Sequence, residues 1–109
     1  MLYVDFEAGN KAYKLRLNTR NTVVLEKVLE CNPLAIFGTG DTIPTVTTMV
    51  NILFASLQQY EHGITLNDAY DIFDTWLADG HTAPEFIPII LDIYRVSGLI
   101  QKETETKNA

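Results

Sequence analysis

Residues 62–99 read HGITLNDAYDIFDTWLADGHTAPEFIPIILDIYRVSGL, two helices in series with clear signals at their ends. Thr65, with Asp68 three residues on, is a capping-box-like start. Leu66, Ala69, Tyr70, Phe73, Trp76 and Leu77 then recur at helical spacing as a buried stripe. Asp68, Asp71, Asp74 and Asp79 keep the opposite side wet and acidic, and Gly80 closes the helix. Thr82-Ala83-Pro84-Glu85 reads as a second capping box. The body that follows is apolar nearly all round: Phe86, Ile87, Ile89, Ile90, Leu91, Ile93, Tyr94 and Val96 cover most of the circumference. Pro88 removes one backbone hydrogen bond and predicts a bend after the first turn. Gly98 ends the helix.

Upstream, Val46, Met49, Val50, Leu53, Phe54, Leu57 and Tyr60 follow an unbroken i, i+3, i+4, i+7 series. They predict a helix over 44–61, with Pro44 in its first turn and Gly63 as a left-handed cap. Such a helix would be about 27 Å long, a spine for the fold. Gly38-Thr39-Gly40-Asp41-Thr42 before it is the clearest loop in the chain. Val24, Leu25, Val28 and Leu29 mark an earlier helix over 19–31, capped by Asn18 or Thr19 and stopped by Asn32-Pro33.

Residues 2–17 alternate with period two on both sides of Gly9-Asn10, which predicts a β-hairpin. Asp5 and Glu7 face Lys14 and Arg16 on its polar side. Two strands alone are marginal, so the apolar side should rest on helices. The fold class expected is α+β, mainly α: a hairpin over about 2–17 on a bundle of four helices, at about 19–31, 44–61, 66–79 and 83–97. Residues 1–100 form one domain, and 101–109 read as a disordered polar tail.

Composition narrows the function classes. A net charge of −6 with eight basic residues argues against a phosphate backbone as partner, because such binders cluster Lys and Arg. No apolar run is long enough for a membrane-spanning helix. The N-terminus lacks the order of a signal peptide, and one cysteine permits no internal disulfide; both point to an intracellular protein. His62 and His81 are isolated from each other and from Cys31, so no zinc set forms. Counting back from Gly80, the stretch 74–85 fails the calcium-loop pattern. Cys31 ends an apolar stripe and is expected to pack there rather than to act as a nucleophile. The loop at 38–42 lacks the Lys-Ser/Thr of a phosphate loop. No assembled set of acid, base and nucleophile appears, so a non-enzymatic protein without cofactor is expected.

The last helix carries more apolar surface than about 100 residues readily cover. Phe86, Ile87, Ile90 and Tyr94 are accordingly expected to line a partner contact. Asp68, Asp71 and Asp74 are ordinarily a solvated face, and a dock for a basic partner in the second reading.

The chain also resembles the tail assembly chaperones of long-tailed phages of Gram-positive bacteria. The residues concerned are Leu15-Arg16-Leu17-Asn18-Thr19-Arg20-Asn21, Leu25-Glu26-Lys27 and Asn32-Pro33-Leu34-Ala35-Ile36-Phe37-Gly38. They continue with Pro44-Thr45-Val46, Leu57-Gln58-Gln59-Tyr60-Glu61-His62-Gly63-Ile64-Thr65-Leu66 and Tyr94-Arg95-Val96-Ser97-Gly98-Leu99. The resemblance covers about 15–100. It implies a protein that binds the tape measure protein before subunits of the major tail (tube) protein polymerise around it. Self-association is a further expectation. The family acts in the host cytoplasm, is absent from the mature virion, and commonly makes a longer frameshifted product. The alternatives are a small head–tail completion protein or an adaptor of host proteins.

Overall fold

The computed structural model describes residues 2–37 and 43–101. The chain runs β1 (Val4–Ala8), β2 (Lys11–Leu15), α1 (Thr19–Leu29), a 3₁₀ turn (Pro33–Phe37), α2 (Val46–Leu57), α3 (Leu66–Ala78), a second 3₁₀ turn (Ala83–Glu85) and α4 (Phe86–Val96). This is the α+β, mainly helical arrangement expected. The loop at 38–42 and the tail at 102–109 lie outside the described residues.

The two strands pair antiparallel in a register that sets Val4 opposite Leu15 and Phe6 opposite Tyr13. Gly9 makes the turn at φ +64°, and a Cβ there would stand 3.1 Å from Thr75 Cγ2. Its N–H donates to Asp79 Oδ2 at 2.7 Å, which ties the turn to the far end of α3. The polar side differs from expectation. Lys14 faces Asp5 in register but lies over the rings of Tyr3 and Tyr60, 5.0 and 5.9 Å from their centroids. Lys11 pairs with Glu61 at 3.7 Å, and Arg16 donates to Gln59 Oε1 at 3.3 Å. Lys11 and Arg16 thus turn to the chain beyond α2 and Lys14 to tyrosine rings, rather than to the carboxylates across the strands.

Asn18 caps α1 by accepting from the Asn21 N–H at 2.8 Å. The helix stops earlier than Asn32-Pro33 requires, because Glu30 turns left-handed at φ 59°. Helix α2 is shorter than its apolar series. Thr45, not Pro44, is the N-cap, so the proline lies ahead of the helix, and regular bonding ends at Leu57. Turns carry the chain on to Gly63, which is left-handed but stands beyond the helix end. Ser56, buried near the end of α2, returns its hydroxyl to Ile52 O at 2.7 Å. Its own carbonyl accepts the Arg16 N–H at 3.0 Å. Helix α1 therefore starts near the end of α2 and packs against that helix.

Helix α3 has the full capping box. Thr65 Oγ1 accepts from the Asp68 N–H, and Asp68 Oδ2 accepts from the Thr65 N–H. Ala69, Ile72, Phe73 and Trp76 form its buried side, while Tyr70 is exposed and Leu66 and Leu77 are half-buried. The second capping box does not form. Thr82 makes no cap bond to the backbone. Instead Glu85 accepts from Thr82 Oγ1 at 3.3 Å and lies 3.0 Å from His81 Nδ1. The His81 contact holds the exposed Glu85 carboxyl below its ordinary range. Because α4 starts only at Phe86, Pro88 falls in its first turn, where a missing N–H costs no helical bond.

The core is one cluster. Phe6 of β1, Phe73 and Trp76 of α3 and Phe86 of α4 meet with ring centroids 5.4–5.9 Å apart. Edge-on and tilted aromatic contacts of this kind add to the gain from burial. His81 lies flat against Trp76, centroids 4.6 Å apart. Leu15, Leu17, Leu25, Ile52, Leu53, Leu57, Ile90 and Ile93 complete the interior.

Candidate interaction surface

The side chains expected at a partner contact on the last helix are divided by the fold. Phe86, Ile90 and Tyr94 are fully buried within the chain itself, and Ile87 is half-buried. The expectation failed because it undercounted the cover. The hairpin, α2 and α3 lie against α4, and the Pro33–Phe37 turn closes the end near Tyr94. The Tyr94 hydroxyl donates to Pro33 O at 2.9 Å. Burial pushes that hydroxyl well above the ordinary tyrosine range. These residues hold the fold together and are not accessible to a partner.

Asp68, Asp71 and Asp74 are exposed, as an acidic outer face requires. Asp68 is already engaged in the α3 cap. With Asp71 it borders an open polar cleft of about 340 Å³, together with Lys11, Tyr13, Glu61 and His62. The cleft holds both signs of charge, and its Lys11–Glu61 pair spans it. Asp74 lies outside it. Among the described residues no group of three or more His, Cys, Asp or Glu side chains is placed to hold a metal ion. Cys31 is exposed just beyond α1 rather than packed at a stripe's end. No helix among the described residues is long and apolar enough to cross a membrane.

The accessible apolar surface lies elsewhere. Large hydrophobic side chains well exposed among the described residues are Leu2, Val23, Val24, Val28, Leu34, Ile43, Val46 and Tyr70. All but the first and last belong to α1, the turn after it and the start of α2. Val24, Val28 and Val46 are each just over half exposed, at 51%, 53% and 52%. Leu34 lies on the turn after α1, Ile43 just ahead of α2 and Val46 at its first position, so the exposed apolar side chains gather on α1, the turn after it and the approach to α2.

Helix α1 buries only Leu25 fully. Val24 and Leu25 are adjacent, so their side chains leave the axis about 100° apart. One neighbour, α2, cannot cover both. Arg20, Val24, Lys27 and Val28 lie within about 100° of one another round the axis and share the outer face. All four are exposed. None of the ion pairs among the described residues includes Arg20 or Lys27. The signal for this surface was present in the sequence. Val23, Val24, Leu25, Val28 and Leu29 form an apolar band too wide for a short helix with a single packing partner.

No protein-family model, curated protein sequence or solved structure matches the chain. The exposed apolar side chains Val23, Val24, Val28, Leu34, Ile43 and Val46 are therefore the ground on which a function is read.

Proposed function

We propose that this chain is a non-enzymatic tail assembly chaperone of a long-tailed phage. It binds the tape measure protein in the cytoplasm of the bacterial host, before the major tail protein polymerises around that protein. It then leaves, so that it is absent from the finished particle. The observation that carries this reading is the exposure of six apolar side chains, Val23, Val24, Val28, Leu34, Ile43 and Val46. A holdase for an extended helical client needs accessible apolar surface into which a helix can lie. Patches of this kind mark interaction sites more often than chance. The acidic outer face of α3 and the net charge of −6 help such a complex stay in solution. The order of motifs from Leu15 to Leu99 supports the same family reading.

The test is co-expression with the tape measure protein encoded in the same phage or prophage. The wild-type chain should keep that protein soluble and co-purify with it, and Val24→Asp/Val28→Asp should lose both effects while remaining folded. Soluble tape measure protein in the presence of the double variant would rule out this surface. Stoichiometric recovery of the chain from purified virions, read by mass spectrometry, would favour a head–tail completion protein instead.

A further inference from the structure

The outer face of α1 is not only apolar; it is also basic, in a chain that is acidic overall. Arg20 and Lys27 flank Val24 and Val28 and are exposed. They stand seven residues apart, or about 10 Å along the helix. Glu26 lies about 100° round the axis from Lys27, and Glu30 stands at the left-handed end of the helix, outside its regular turns. Elsewhere the exposed carboxylates of α3 would repel an acidic chain, whereas this ridge would attract one.

We propose that the α1 face receives an amphipathic helix whose apolar stripe is bordered by Asp or Glu one heptad apart, facing Arg20 and Lys27. The inference rests on the reading of the exposed α1 valines as part of the partner surface, and adds the charge of the partner. Charge complementarity selects partner and register while the valines supply the contact area. A docked helix would meet α1 over about three turns, the length of α1 itself. A second copy fits this ridge poorly, because two α1 faces meeting would bring four cations into one seam.

The experiment uses the full chain and two fluorescent peptides of about 18 residues, long enough to be helical when bound. Both carry the same leucine stripe; one is bordered by Glu seven residues apart, the other by Lys. Anisotropy should show the Glu peptide binding about five- to tenfold more tightly at low salt, the range expected of two rim ion pairs. The gap should close in about 1 M salt, where screening acts over about 3 Å. Arg20→Glu/Lys27→Glu should reverse the order of the peptides, and Val24→Asp should weaken both. Circular dichroism checks that each variant keeps its helices. Equal binding of the two peptides, preference for the Lys peptide, or an unchanged order in the charge-reversed variant would overturn the proposal. So would capture by phosphatidylserine vesicles without peptide discrimination. If the peptide order holds but no tape measure protein is retained, the chaperone reading fails and this one stands. If tape measure protein is retained equally by the charge-reversed variant, the reverse is true.

Discussion

Helices α1 and α4 are both eleven residues long and both rich in β-branched and aliphatic side chains. Their surroundings differ. Helix α4 lies under β1, α2 and a 3₁₀ turn and buries Phe86, Ile90, Ile93 and Tyr94. Helix α1 packs chiefly on α2 and buries Leu25. The comparison teaches that apolar density along a helix does not locate a contact surface. What locates it is the number of neighbours the topology provides. A helix late in the chain, arriving after the hairpin and three helices, finds cover on most sides. A helix at the edge of the α1–α2 pair keeps its outer valines in water.

The sharpest way to break this contrast is Phe86→Ala. Phe86 touches Phe6, Phe73 and Trp76, and its truncation should leave a cavity costing about 3–5 kcal/mol by chemical denaturation. A loss under about 1 kcal/mol would mean that α4 is not the centre of the core. Ile90→Asp belongs to the same class and would unfold the chain rather than test a partner contact.

A smaller effect separates buried polar design from simple packing. Tyr94→Phe removes the donor to Pro33 O and leaves a buried carbonyl without that partner. The expected loss is about 1–3 kcal/mol at constant core volume. A neutral result would show that water reaches Pro33 and that the turn after α1 is looser than its packing implies.

The smallest effect is expected on α1. Val24→Thr and Val28→Thr should each change stability by no more than about 0.5 kcal/mol, since both side chains are largely in solvent. Losses approaching those of Phe86→Ala would erase the distinction between the two helices.

Most of the fold was legible from residues that act locally. The hairpin turn at Gly9, the reciprocal Thr65–Asp68 cap and the apolar series of α2 and α3 each depend on neighbours within a few positions. The errors arose where a signal that fits its own spacing was overruled by how other residues pack. Pro88 predicts a bend only if the helix begins before it, and the start at Phe86 is set by the turn at Ala83–Glu85. Glu85 was read as a cap because its spacing from Thr82 fits, yet His81, stacked on Trp76, takes up its carboxylate instead. The same limit governed the surface. Exposure of Val24 and burial of Phe86 are properties of packing partners, which the spacing of either helix does not carry.

The clasp between hairpin and helices has a bearing on how the chain is made. The Gly9 amide reaches Asp79, seventy residues on, and the Leu17 amide reaches Ser97 Oγ, eighty residues on, at 2.9 Å. Phe6 likewise finds its ring partners only in α3 and α4. During synthesis the hairpin thus leaves the ribosome well before α3 and α4, which complete its cover. Two strands alone are marginal, and distant pairings form slowly because loop closure precedes their reward. Until α3 and α4 have emerged, Phe6 lacks all of its ring partners, and exposed apolar surface of that kind is what holdases bind.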